Sequence, residues 1–295
     1  MSAQNKTTRG IVAYLLITFA MAWSFWCIPL LFGLTLRSPS YFLFLLPGAF
    51  SPAIAALIVR KWVTHEGFAD AGLRLNFRNN RRYYLIAWLL PLLVVAIIVL
   101  LAVVFRISTP DFSLERAMNN LANGQNPLET VPRALRFPFV AVLQALLIAI
   151  IATPLLWGEE FGWRSYLQIR LMAHRPLPAA IITGVIWGIW HFPINLQGYN
   201  YPDNRILGLF IFPVFTVLLS IILGWLRLKT GSIWSASLAH SATNAIGGGL
   251  TILIFMGGPN WLFVGYTGIL SWIPLGALCA WIILTGQLTP ENKRV

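Results

Sequence analysis

Long apolar stretches alternate with short polar connections along almost the whole chain. A helix needs about 20 mostly apolar residues to cross a bilayer. Eight stretches approach or exceed this length: roughly 10–36, 41–59, 83–105, 134–157, 177–195, 206–226, 232–256 and 261–286. Proline and glycine interrupt several of them, which membrane bundles tolerate. The pattern therefore predicts an all-α, polytopic membrane helix bundle with about eight transmembrane helices.

The composition agrees with this prediction. Of the 295 residues, 58% are hydrophobic and only 10% are charged, whereas soluble domains carry about 25% charged residues. A soluble core could not hide so much apolar surface, so lipid must be the solvent for much of the chain. The net charge is +12, but the basic residues lie between apolar runs. They indicate membrane orientation, and no nucleic-acid partner is predicted.

The distribution of basic residues predicts a topology with both termini inside. With the N-terminus in the cytoplasm, fifteen Lys and Arg residues fall inside and six fall outside, as the positive-inside rule requires. The inside set is Lys6, Arg9, Arg60, Lys61, Arg74, Arg78, Arg81, Arg82, Arg164, Arg170, Arg175, Arg227, Lys229, Lys293 and Arg294. The outside set is Arg37, Arg106, Arg116, Arg133, Arg136 and Arg205.

Three connections carry further expectations. Residues 60–82 form a basic segment that is predicted to lie on anionic lipid headgroups. Residues 106–133 hold Pro, Asn, Gly and balanced charges, which predicts a polar external loop. The short stretch Trp163–Met172 follows the fourth span and is predicted to be interfacial. The protein is expected to be an integral multi-pass protein of the plasma (inner) membrane.

Polar residues at membrane depth are costly and therefore informative. The first such group is Glu159, Glu160 and Arg164, after an apolar run without other charges from Phe137 to Gly158. On a helix Glu160 and Arg164 are one turn apart and pair on one face. Glu159 is rotated by about 100° and points elsewhere, with no local cation, so any partner must come from another helix. The alternative is an interfacial carboxylate pair that headgroup water solvates.

Two further groups contain histidine. His191 follows Trp187 by one turn near the end of the fifth span, where Trp187 could form one wall of its pocket. His240 and Asn244 are also one turn apart, inside the seventh span and among small residues. Each group has a structural alternative: a histidine bonded to a backbone carbonyl, or polar side chains that only hold helices together.

The three groups suggest chemistry when they are taken together. Intramembrane ionisable groups usually face the bundle interior, so Glu159, His191 and His240 could converge from three helices. The carboxylate could take a proton from water while a histidine and Asn244 stabilise a developing oxyanion. The same glutamate and two histidines are also the ligand types of a catalytic zinc site. The sequence lacks HExxH, the usual motif of soluble zinc proteases. A divalent metal such as zinc stays an open alternative because of the ligand types.

The order of these motifs resembles the CAAX prenyl endopeptidase and bacteriocin-processing family of intramembrane proteases. The segment from Glu159 to Arg164 matches the motif EExxxR, and the segment from His240 to Asn244 matches HxxxN. His191 matches the histidine of FxxxH, with Trp187 in place of the phenylalanine. The resemblance covers roughly residues 134–256, the expected catalytic core within one multi-pass domain of residues 1–295.

The resemblance implies an endopeptidase that acts on a membrane-associated or lipidated peptide or protein. It assigns water activation to Glu159 and water binding to His191, and it gives His240 and Asn244 the oxyanion site. Glu160, Arg164 and Trp187 would support them. If a metal is used, Glu159, His191 and His240 are its expected ligands.

Two other functions stay open at this point. Glutamate and histidine at membrane depth also form proton relays, so a proton-coupled transporter is one alternative. A transporter often shows paired repeats with broken helices, and no such symmetry is visible in the sequence. The other alternative is a non-catalytic immunity or scaffold protein with the same fold.

Overall fold

The computed structural model describes residues 3–36, 38–121, 138–172, 174–256 and 260–288. All regular secondary structure in these ranges is helical. Its main helical segments are α1 (Asn5–Phe32), α2 (Pro39–Val63), α3 (Arg81–Val104), α4 (Pro138–Ile151 and Thr153–Leu171), α5 (Pro176–Trp190), α6 (Arg205–Thr230), α7 (Ile233–Phe255) and α8 (Trp261–Leu284). Shorter helices are Ala69–Ala71, Glu115–Leu121 and Phe192–Leu196.

Each predicted span coincides with one of these segments. Six of them are long and apolar enough to cross a membrane, and α4 adds a seventh if its two halves, bent by 50°, form one span. α5 has only 15 residues, or about 22 Å against a hydrocarbon core of about 30 Å. The helical membrane bundle is confirmed, whereas the count of eight and the orientation of the termini stay predictions.

Some expectations fall on parts of the chain outside the described residues. These parts include residues 134–137 at the start of the fourth predicted span and residues 122–133 of the predicted external loop. Five of the residues counted for orientation also lie there, namely Arg37, Arg133, Arg136, Lys293 and Arg294.

Close packing between α5 and α6 positions the end of α5. A Cβ atom on Gly184 would lie 2.5 Å from the Cα of Val217, so only glycine allows this approach. The hydroxyl of Thr216 donates to the carbonyl of Gly184 at 2.9 Å, and Ser220 donates to the carbonyl of Ala180 at 2.8 Å. Small residues and hydroxyl bonds of this kind hold membrane helices together.

The second half of α4 does not lie at an interface as a separate stretch. The prediction for Trp163–Met172 is wrong for its first half, because the helix continues and residues 163–168 are buried inside the protein. Three π-helical turns lie in the described helices: Val59–Val63 at the end of α2, Trp163–Leu167 in α4 and Thr243–Gly248 in α7. Such turns occur frequently at functional sites. The turns in α4 and α7 begin three residues after Glu160 and His240, respectively.

The connection between α2 and α3 is folded against the bundle. We call residues 64–80 the cap. The amide of Ile233 donates to the carbonyl of Gly72 at 2.8 Å, and Ser165 Oγ donates to the carbonyl of Ala71 at 2.6 Å. The cap is thereby attached to α4 and α7. Its arginines Arg74 and Arg78 are exposed, so contact with anionic headgroups stays a prediction for them.

Arg60 corrects the expectation that the whole basic segment 60–82 faces the headgroups. Its side chain is completely buried, because it turns inward from the end of α2. It donates to Asp70 at 2.8 Å, to the carbonyl of Gly67 at 2.5 Å and to the carbonyl of Ser165 at 2.8 Å. Asp70 also accepts from Arg170 at 2.8 Å. Arg60 therefore ties the cap to α4.

Replacement of Asp70 by asparagine is expected to destabilise the protein. Burial raises the pKa of this carboxyl, but hydrogen bonds and charge from Arg60 and Arg170 outweigh it, so its pKa is lowered overall. A carboxyl with a lowered folded pKa stabilises the fold above its unfolded pKa of about 4 and loses that effect as the pH falls. Because Asp70 is partly exposed, we expect a loss of about 1–2 kcal/mol at pH 7.

Thermal unfolding in detergent at pH 7 and at pH 3, below the unfolded pKa, measures this effect. The unfolding midpoint of Asp70→Asn should fall by about 2–4 °C at pH 7, and the difference from wild type should shrink at pH 3. Asp203→Asn, an exposed aspartate in another connection, serves as the control and should unfold like wild type. A midpoint equal to that of the control at both pH values contradicts the role of Asp70.

Candidate active site

A cavity of about 570 Å³ lies inside the bundle and brings the predicted catalytic residues together. Glu159 from α4, His191 from the end of α5, and His240 and Asn244 from α7 all line it. Trp187 lines it as well. The expected convergence of one glutamate and two histidines from three helices on one cavity is therefore observed.

Glu160 lies beside the cavity rather than in its lining and is completely buried. Its Oε1 accepts a hydrogen bond from Arg164 Nη1 at 3.0 Å, which is the predicted pair one turn apart. The same oxygen lies 2.9 Å from Nδ1 of His240. Glu160 thus joins α4 to α7, and its charge is neutralised by a buried arginine.

Glu159 points away from Arg164 and meets α5 instead. Its Oε2 accepts a hydrogen bond of 2.9 Å from the indole nitrogen of Trp187. The partner from another helix that the sequence required is therefore a neutral N–H group. The two adjacent carboxylates have different surroundings, since Glu160 faces an arginine while Glu159 faces the cavity and a tryptophan.

His191 combines the structural interpretation with the functional one. Its Nδ1 lies 2.9 Å from the carbonyl of Trp187, as the carbonyl-bonded alternative predicted. It nevertheless lines the cavity. A carbonyl only accepts, so Nδ1 carries the hydrogen and the lone pair resides on Nε2.

His240 has the same tautomer for the same reason. Its Nδ1 faces the carboxylate of Glu160, so Nδ1 carries the hydrogen and Nε2 is an acceptor until it is protonated. Asn244 lies in the π-helical turn of α7 and is exposed on the cavity wall. Both side chains of the HxxxN motif therefore face the same space.

Aromatic rings that the motifs do not include surround His191. Trp26 lies at 6.3 Å between ring centroids, Trp190 at 4.7 Å and Phe212 at 4.8 Å. All three residues lie in ordinary apolar runs of the sequence, so the sequence gave no signal that these rings meet one histidine. The guanidinium of Arg164 lies over the ring of Trp187, 4.5 Å from its centroid.

The residues present do not form a metal site. In the described ranges, no group of three or more His, Cys, Asp or Glu side chains is arranged to hold a metal ion. A catalytic zinc site needs three protein ligands at about 2 Å from one point. Glu159, His191 and His240 line one cavity without this arrangement.

A helical membrane bundle with a glutamate and two histidines at an internal cavity is the architecture expected of an intramembrane protease. Residues 137–246 match the family model described as type II CAAX prenyl endopeptidase, Rce1-like. The matched segment contains all three motifs, as the resemblance predicted.

A curated relative extends the similarity beyond this segment. The CAAX prenyl protease 2 of Methanococcus maripaludis is 28% identical over 243 residues, which are 78% of this chain and 81% of the relative. This chain, with its long apolar helices, is thus similar to a CAAX prenyl protease over most of its length.

The two adjacent glutamates should respond differently to the same substitution. Glu160→Gln leaves Arg164 buried without its counter-charge, which typically costs about 3–5 kcal/mol. Glu159→Gln keeps an oxygen for the Trp187 N–H group and removes no ion pair. We expect Glu160→Gln to lower the thermal unfolding midpoint and the yield of folded protein, while Glu159→Gln unfolds at or above the wild-type temperature.

Thermal unfolding and size-exclusion chromatography of both variants, purified in parallel, test this difference. Each variant is the control for the other, because both replace one neighbouring carboxylate by an amide of the same shape. If Glu159→Gln were the less stable protein, Glu159 would be structural and the division of roles would be wrong.

Proposed function

We propose that this protein is an intramembrane endopeptidase in which Glu159 activates the attacking water. The observation that carries the proposal is the cavity that places Glu159, His191, His240 and Asn244 around one space. The match of residues 137–246 to a family of endopeptidases supports it.

The proposed reaction is hydrolysis of one peptide bond. Glu159 takes a proton from water, and the water oxygen forms a bond to the scissile carbonyl carbon. His191 Nε2 accepts a hydrogen bond from this water and orients it. The carbonyl oxygen becomes an oxyanion, which Asn244 and His240 stabilise through hydrogen bonds. Glu159 then gives its proton to the leaving nitrogen as the carbon–nitrogen bond breaks.

Glu160 has a defined part in this proposal. A neutral His240 with its hydrogen on Nδ1 has only a lone pair on Nε2, and a lone pair cannot donate to an oxyanion. His240 can therefore donate to the oxyanion only when Nε2 also carries a hydrogen, while the Glu160 carboxylate stays the partner of Nδ1 at 2.9 Å. Glu160 thus holds the His240 ring in place within the proposed oxyanion site.

The proposed substrate is a membrane-associated or lipidated protein or peptide. Most of the cavity lining is apolar, and large apolar side chains of α2, α4, α5 and α6 contribute to it. Several large apolar lining residues, including Phe42 of α2 and Leu155 of α4, are also exposed on the surface of the bundle. An apolar chain could therefore reach Glu159 from the lipid. The relative from Methanococcus is named a prenyl protease, which makes a prenylated C-terminus the first substrate to try. We place the protein in the plasma (inner) membrane.

Replacement of Glu159 by glutamine should abolish the peptidase activity. Glutamine has the shape of glutamate but takes no proton from water. We expect new protein termini, measured by mass spectrometry, in cells that contain the wild type but not in cells with equal amounts of Glu159→Gln. Glu115→Gln, an exposed glutamate outside the cavity, should give the wild-type termini.

The outcome also separates the alternatives. Identical termini in all three strains over several growth conditions would contradict the endopeptidase proposal. Proton-coupled flux in liposomes that requires Glu159 would then point to a transporter. A cellular phenotype that persists in Glu159→Gln would point to a scaffold.

Elemental analysis of the purified protein tests the metal alternative directly. Because Glu159, His191 and His240 are not arranged as three ligands, we expect no stoichiometric zinc, and we expect activity to survive a chelator. One zinc per chain in the wild type, lost in both His191→Ala and His240→Ala, would instead establish the metal site.

A further inference from the structure

Trp187 contacts four buried polar residues of the site. Its indole N–H donates to Glu159, its backbone carbonyl accepts from His191, and Arg164 lies over its ring. Its ring also meets that of His240 edge-on, with 5.1 Å between the centroids. The side chain is almost fully buried.

We propose that Trp187 is a positioning residue whose indole N–H holds the Glu159 carboxylate in the orientation that activates water. This inference rests on the proposed function. The hydrogen bond engages Oε2 at 2.9 Å, which leaves Oε1 as the oxygen that receives the proton. A carboxylate on a flexible glutamate stem would otherwise rotate between several orientations.

The indole ring is itself fixed, which an orienting group requires. The Arg164 guanidinium is held by Glu160 at 3.0 Å and presses on one face of the ring. The backbone carbonyl of Trp187 accepts a hydrogen bond from His191 Nδ1 at 2.9 Å. The orientation of Glu159 is thereby coupled to the Glu160–Arg164 pair and to His191 through one side chain.

The hydrogen bond can be separated from the bulk of the ring. Phenylalanine at this position keeps an aromatic ring beside Arg164 and His240 but has no N–H group. Trp187→Phe therefore removes the donor to Glu159 and leaves the contacts of the backbone carbonyl in place. A hydrogen bond to a charged group is worth about a tenfold to hundredfold change in an equilibrium or rate.

Steady-state kinetics on the substrate found through the new termini tests the inference. We expect Trp187→Phe to lower kcat about tenfold to hundredfold, with KM within about twofold because the ring that lines the cavity remains. Trp225→Phe is the matched control: this buried tryptophan lies in α6 outside the cavity, and its indole nitrogen has no partner among the described residues. Its kinetics should equal those of the wild type.

Infrared difference spectroscopy provides a reading that does not depend on activity. Subtraction of the Glu159→Gln spectrum isolates the carboxylate stretching bands of Glu159. These bands should shift in Trp187→Phe and stay unchanged in Trp225→Phe. A merely structural role for Trp187 would change KM and the unfolding temperature without a shift of these bands.

The outcomes decide between the inference and the function on which it rests. A wild-type kcat in Trp187→Phe overturns the positioning role, and so does a loss of kcat with unshifted bands. If the wild type itself cleaves nothing, the proposed function fails, and a band shift in Trp187→Phe still establishes the hydrogen bond that positions Glu159.

Discussion

The structure depends on the burial of the Glu160 carboxylate between Arg164 and His240. An isolated charge at this depth would be very costly, so it must be paired and hydrogen-bonded. Arg164 lies one turn further along the same helix, but His240 comes from α7, 80 residues away in the sequence. The pairing therefore fixes α4 against α7, and the face on which Glu160 lies decides where its neighbour Glu159 must point.

This constraint separates two carboxylates that are adjacent in the chain. A rotation of about 100° between successive residues turns Glu159 away from the arginine and toward α5. There it meets the neutral N–H of Trp187 and the cavity. A neutral donor orients the Glu159 carboxylate without forming an ion pair, so the carboxylate stays able to accept a proton. Glu160 is therefore suited to hold the helices, and Glu159 is suited to exchange a proton.

The sequence predicted the parts of this arrangement that depend on local geometry. The long apolar runs located the helices, and the spacing of Glu160 and Arg164 predicted their ion pair. The sequence did not show that His240 contacts Glu160, because such a contact depends on how distant helices pack. For the same reason Arg60 was placed among the headgroups, although Asp70 and the Ser165 carbonyl draw it inward. The π-helical turn at Trp163–Leu167 was missed, since its residues have no pattern that differs from an ordinary helix.

The site also needs residues far outside the segment that carries the motifs. Trp26 of α1 and Phe50 of α2 line the cavity on one side, and Tyr266 of α8 lines it on another. Arg60 of α2 donates to the carbonyl of Ser165, the residue after Arg164, and so supports the π-helical turn in α4. Trp26, Phe50 and Tyr266 form part of the walls of the cavity that Glu159 lines. The geometry of the site therefore depends on packing along nearly the whole described chain. In agreement with this, the similarity to the relative from Methanococcus covers 78% of this chain, far more than the motif segment.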